Sequence, residues 1–170
     1  MLKENIEDAI NGQINAEFYS SYLYLSMSAY FDSIDLKGMA SWMIAQAQEE
    51  IAHGMKMYNH VQERGGTVTL DPIEGPPTAW DSALDVYEHA LRHEEHVTSL
   101  INSLVDLAIS EKDHATKNFL DWFVDEQVEE EATASEVVQQ LKIIGDNGYG
   151  ILMLDRELGQ RVFTPPAPVE

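Results

Sequence analysis

Glu50 and His53 stand three residues apart in the run Gln48-Glu49-Glu50-Ile51-Ala52-His53. On a helix, residues at that spacing leave the same face, so both side chains can reach one metal ion. The pair alone is a weak signal. Glu17, Glu94 and Glu130 strengthen it, because each lies near the middle of a long segment with helical periodicity. Four carboxylates with a single imidazole make an oxygen-rich ligand set that suits iron or manganese. With His53 neutral, two divalent cations balance the four negative charges. Two ferric ions bridged by an oxide balance them as well, so both redox states fit without net buried charge.

A second acidic group lies one step off this set. Glu49 neighbours Glu50, and Glu126 and Glu129 neighbour Glu130. Like charges gathered in one place invite a further cation; the alternative is a solvated acidic face.

The elements that must position these residues divide at turn signals. Helical periodicity runs over about 3–31, 36–64, 82–110 and 114–144, with a short fifth segment over about 149–158. Asp35, Asp81 and Asp113 are placed as N-caps of the second, third and fourth. Each long segment spans about 45 Å. Short links make the first and second, and the third and fourth, antiparallel hairpins. Between the hairpins, residues 65–80 hold three glycines and three prolines, and Thr67-Val68-Thr69-Leu70 alternates like an extended strand. A stretch of that length can cross a whole bundle. With no convincing strand pairing, the expected fold is all-α: a single domain over 1–170, a four-helix bundle with a long crossover between helices 2 and 3 and a short fifth helix. An irregular tail follows from about residue 163.

Each seam of this bundle is apolar except at one level. Around a first turn centred between Ser33 and Ile34, Glu17 and Glu50 are equidistant, so an antiparallel hairpin puts them at one height. Around a second turn centred between Glu111 and Lys112, Gln127 and Glu130 bracket the height of Glu94. Mid-helix glutamates usually face solvent, and loosely built seams would be the plain alternative. Here four helices agree in face and height. Neither Arg64, at a helix end, nor Arg92, off the seam, can pair with these carboxylates, and buried unpaired charge is costly. A cation among them is the expectation.

Composition excludes other classes. The chain has 10 Lys+Arg against 30 Asp+Glu, a formal charge of −20, which disfavours nucleic acid and anionic membrane surfaces. The absence of cysteine removes disulfides and thiolate chemistry. The uncharged stretch Phe18–Phe31 is only 14 residues long, too short to span a membrane. A cytoplasmic protein without membrane or nucleic-acid partners is expected.

These residues resemble the non-haem ferritins of prokaryotes. The resemblance rests on Gln13-Ile14-Asn15-Ala16-Glu17, Tyr24, the run Gln48 to His53, the crossover, Glu94, and Glu126-Gln127-Val128-Glu129-Glu130-Glu131. Carboxylates from four helices around a metal pair are an established feature of ferritin-like bundles. The resemblance implies that Glu17, Glu50 and His53 hold one ferroxidase iron, and that Glu50, Glu94 and Glu130 hold the other, with Glu50 bridging. Gln127 lies beside the pair. Glu49, Glu126, Glu129 and Glu130 match a third iron site, and Tyr24 and Trp122 match aromatics beside the centre. The implied function is iron storage: Fe²⁺ is oxidised by dioxygen or peroxide and kept as ferric oxide in a self-assembled shell of the 24-subunit type. Two irons per subunit and no haem are expected. Residue 133 is threonine where a second Glu-x-x-His would place histidine, and Ile51 stands where a haem-ligating methionine would follow Glu50. Two other readings are a di-iron oxidoreductase or peroxidase of the same fold, and a non-catalytic acidic bundle that buffers divalent metals. The remaining histidines, His60, His89, His93, His96 and His114, read as surface or packing residues. The apolar stripe Ile151, Leu154 and Leu158 of the fifth segment reads as one that needs burial against copies of the chain.

Overall fold

The computed structural model of the protein describes residues 2–164. Those residues form α1 (Glu4–Ser33), α2 (Lys37–Glu63), α3 (Ala83–Ser110), α4 (His114–Ile144) and α5 (Gly148–Leu158), and no strand is present among them. The irregular tail expected from about 163 lies outside the described residues beyond Thr164; Phe163 and Thr164 have no regular structure. Ser28 Oγ donates to the Ala40 carbonyl at 2.9 Å and Ser21 Oγ to that of Ala47 at 2.8 Å. This opposed register makes α1 and α2 an antiparallel hairpin. α3 and α4 form the second, and α1 rests on α3.

The helix ends show where local sequence decides and where it does not. Asp113 caps α4 by accepting from the Thr116 backbone N–H. At α3 the cap is Ser82, which accepts from Asp85 N, and not the expected Asp81; the serine is one residue closer to the first helical turn. Asp35 does not cap α2. It adopts a positive φ of 61°, in the left-handed region that aspartate tolerates, while Leu36 N reaches back to the Phe31 carbonyl. Asp35 thus closes α1. The first turn of α2 finds its acceptor on another element: Met39 N donates to Asp155 Oδ1 of α5 at 2.8 Å.

The crossover lies along α1. Asn11 replaces a neighbouring strand for the extended stretch, donating to the Thr67 carbonyl and accepting from Thr69 N. Asn15 then holds the Asp71 carbonyl and Ser26 that of Pro77. α5 packs on α2 and α4. Leu154 is buried there, with Ile151 and Leu158 packed against the same apolar cluster. The stripe expected to seek other copies is therefore satisfied within the chain, because the close approach of Gly38 to Asp155 and Gly159 lets α5 lie on the start of α2.

The core has two apolar clusters. One, near the α1–α2 turn, includes Leu23, Met27, Phe31, Met39, Met43, Tyr87, Val137 and Leu141. The other, at the opposite end, includes Ile6, Ile10, Ile14, Met57, Val61, Ile101, Leu104, Leu120 and Phe123. Glu17, Glu50, Glu94 and Glu130 are buried between them.

Candidate metal centre

Glu17 of α1 and Glu50 and His53 of α2 offer ligand atoms within 4.8 Å of one another, all three residues being buried. His53 Nδ1 is 3.5 Å from Glu50 Oε2 and 4.0 Å from Glu17 Oε2. Glu17 Oε2 is buried and has no hydrogen-bond partner, which is unusual for a carboxylate in a bundle core. Glu94 of α3 accepts from the Tyr24 hydroxyl on Oε1 and from Gln127 Nε2 on Oε2 at 3.3 Å. Glu130 of α4 accepts from Gln46 Nε2 at 2.8 Å, and the same amide donates to Glu50 Oε1 at 3.0 Å.

A second group shares His53 with the first. Glu49, His53, Glu126 and Glu130 also bring ligand atoms within 4.8 Å. Glu49 and Glu126 are half-buried, so this group forms the outer, wetter side of the centre. Glu129, the fourth residue expected at the third site, is exposed and does not join this group. The Trp122 ring lies edge-on to His53 at 5.4 Å between centroids, and Lys56 Nζ sits 3.3 Å above that indole. A small cavity of about 110 Å³ opens between Glu49, His53, Lys56, Trp122, Glu126 and Phe163.

The electrostatics are those of a centre built for cations. Burial raises the carboxyl pKa of Glu17 well above the ordinary value, and neighbouring Glu50 raises it further. Glu50 is raised by burial and by Glu94. Glu130 is raised by burial and then by Glu50 and Glu94. Burial also raises Glu94, although the hydrogen bonds from Tyr24 and Gln127 offset part of the effect. Burial, followed by the charge of Glu94, pushes the Tyr24 phenol up, so it donates as a neutral hydroxyl. Among the described residues no lysine or arginine pairs with Glu17, Glu50, Glu94 or Glu130. A buried carboxylate of this kind takes up either a proton or a metal ion.

Three further participants are absent from the site residues expected from the sequence, although Gln46 lies on the α2 seam with Met43, Glu50 and His53. Gln13 Nε2 donates to Glu17 Oε1 at 2.8 Å, and Gln46 serves Glu50 in the same way. Each glutamine precedes its glutamate by four residues, a spacing that could have flagged both. Arg161 follows α5, pairs with Glu49 at 2.5 Å and donates to Gln46 Oε1; no periodicity points to it. His93 belongs to a different neighbourhood. It bonds Ser20 Oγ at 2.7 Å, and desolvation lowers its pKa to about 4.

A family model for the ferritin-like domain matches residues 7–144, which covers all four long helices up to the end of α4. The chain belongs to the prokaryotic non-haem ferritins. It is 49% identical to a bacterial non-heme ferritin of Bacteroides fragilis over 161 residues, covering 95% of this chain and all of the relative. A bacterial non-heme ferritin of Staphylococcus aureus is 37% identical across 96% of this chain and 98% of its own length. Among solved structures, a closed form of the Archaeoglobus fulgidus ferritin, engineered by site-directed mutagenesis, superposes with a TM-score of 0.96 at 54% identity, over 96% of this chain and all of that one. An open-pore ferritin from the same hyperthermophilic archaeon superposes with a TM-score of 0.94 at 53% identity, over 95% and 99%. The ferritin chain is thus an all-α iron-storage protein whose buried carboxylate layer can hold metal. No helix among its described residues is long and apolar enough to cross a membrane.

Proposed function

We propose that this ferritin chain oxidises Fe²⁺ with dioxygen or peroxide at its buried carboxylate layer. The Fe³⁺ passes into a self-assembled shell of the 24-subunit type, in the cytoplasm, and is stored there as hydrated ferric oxide. The observation that carries this reading is the buried group of Glu17, Glu50, Glu94 and Glu130 from four different helices, with His53 beside them and no basic partner. Such a layer is unfavourable empty and favourable with cations in it.

In this reading iron is the substrate. Glu17, Glu50 and His53 receive one Fe²⁺, and Glu50, Glu94 and Glu130 receive the second, with Gln127 and Tyr24 fixing Glu94 between them. Gln13 and Gln46 hold Glu17 and Glu50 by one oxygen each, leaving the other oxygen to meet metal. Each ferrous ion gives one electron to the oxidant, and the carboxyl protons displaced by metal leave for solvent. Glu49, Glu126, Glu129 and Glu130 supply a third, outer site. Thr133 leaves the second iron with oxygen ligands alone, a weaker anchor than imidazole would give, which favours iron that moves on over a fixed cofactor.

Aerobic addition of two Fe²⁺ per subunit tests this. Rapid oxidation to a mineral that stays in solution, followed by equally rapid oxidation of a second addition, is the expected result. Oxidation that stops unless a reductant is supplied would instead identify a di-iron oxidoreductase. Binding without oxidation would identify a metal-buffering bundle.

A further inference from the structure

Arg161 is the described basic residue that forms an ion pair within the carboxylate groups of the centre. It comes from the non-helical stretch after α5 and reaches α2 from outside. Its Nη2 meets Glu49 Oε2, its Nη1 meets Gln46 Oε1, and its guanidinium lies 4.5 Å from the Trp42 ring centroid. Glu49 is also a member of the outer metal-binding group. One carboxylate is therefore claimed by a fixed positive charge and by a site shaped for a cation.

We propose that Arg161 is a built-in counter-ion of the outer site, and that a divalent cation binding Glu49, Glu126 and Glu130 displaces it. The proposal rests on the outer group being a metal site, as set out above. The geometry favours exchange over a permanent tie. Both partners of the pair are about three-quarters buried, with side-chain exposures of 25% and 24%, so water still reaches them. A guanidinium and a divalent ion on one carboxylate repel each other strongly at this range. α5 ends at Leu158, and Arg161 itself lies in the non-helical stretch beyond the closing turn, so releasing its side chain breaks no helix. Phe163 and Thr164, two and three residues on, line the cavity over the outer group, so movement of Arg161 also opens the way to it.

The exchange reaches the inner layer through one amide. Arg161 binds the carbonyl oxygen of Gln46, which fixes its NH₂ towards Glu50 and Glu130. When Arg161 leaves, that amide loses its orienting contact. Occupancy of the outer site is then felt by two carboxylates of the inner one, and by linkage the coupling acts in both directions.

Zn²⁺, which is redox-silent, serves as the probe. Calorimetric titration of the metal-free assembled protein is compared for wild type, Glu126→Gln, Arg161→Ala and Arg161→Gln, each checked for unchanged helical circular dichroism. Glu126→Gln should remove one binding step, which identifies the outer site. Both Arg161 variants should tighten that step by about tenfold, within the usual range of such couplings. In a Trp122→Phe background, which removes the indole lining the outer cavity, the step should still change tryptophan emission as the guanidinium leaves the Trp42 indole, and adding Trp42→Phe should abolish the change. If Glu126→Gln removes a step but the Arg161 variants leave it unchanged or weaken it, Arg161 only fastens the C-terminal stretch and the proposal fails alone. Tightening in Arg161→Ala but not in Arg161→Gln would show that bulk, not charge, competes, and would also overturn it. A titration unaltered by Glu126→Gln removes the outer site and the proposal with it.

Discussion

The two ends of the bundle and its middle are built on opposite terms. At the ends, Ile10, Ile14, Met43 and Phe31 are wholly buried among other apolar side chains, and their contacts favour the fold. In the middle the same four helices bury carboxylates that raise one another's pKa values. The ends can hold the helices together whatever occupies the middle. The middle can therefore remain electrostatically unfavourable until a cation arrives, and that unmet demand is what suits it to hold metal. Stability and function run along the same helices but are separated by height.

Substitutions at the two heights should therefore have separable effects. The largest belongs to Glu50→Ala, since Glu50 faces both halves of the inner layer. The initial rate of Fe²⁺ oxidation should fall by about 100-fold or more in stopped-flow absorbance, while the metal-free protein loses no thermal stability. A comparable fall in melting temperature would show that the middle also holds the fold. Next comes Ile10→Ala, which leaves a cavity at one end. Urea unfolding of the metal-free protein should show a loss of about 2–5 kcal/mol, with the oxidation rate per folded subunit within threefold of wild type, about 0.7 kcal/mol in barrier.

Asp113→Ala, at the α3–α4 turn, should cost about 1–2 kcal/mol through loss of the α4 cap and of the pair with Arg64 at 3.0 Å. Burial opposes the charge of Asp113, but hydrogen bonds from Arg64 and Thr116 outweigh it and hold the pKa at about 2 against an unfolded 3.8. The folded pKa is depressed, so this contribution is complete above about pH 4 and disappears as pH falls through about 2. The difference in stability between wild type and Asp113→Ala should narrow over that window and not above it. The smallest effect should be that of Glu129→Ala. This exposed side chain lies outside both ligand groups, and its removal should leave the first fast phase of oxidation unchanged. An oxidation rate cut as deeply as in Glu50→Ala would mean that Glu129 turns inward when metal is present.

What could be read from the chain follows the same division. The seams and the counting of positions about each turn place Glu17 with Glu50, and Glu94 with Gln127, because a straight helix converts sequence distance into height. The Asp113 cap was legible because its acceptor and donor lie three residues apart. Asp35 misled because a capping residue type next to a turn can close the preceding helix as readily as open the next. Glu129 stands apart from its neighbours for a rotational reason. Glu126 and Glu130 face inward together, and Glu129, one residue short of Glu130, is carried about 100° around towards solvent. Arg161 could not be read at all, since its place depends on how α5 docks and not on any repeat.

Asp155 lies 116 residues after the backbone N–H that it caps. The α1–α2 hairpin is local and can form as soon as its residues leave the ribosome, yet the first turn of α2 stays unfinished until α5 has been made. α5 thus completes α2 from a distance. A nascent or truncated chain lacking it carries a frayed α2 start and an uncovered apolar end around Met39, features that chaperones and proteases recognise.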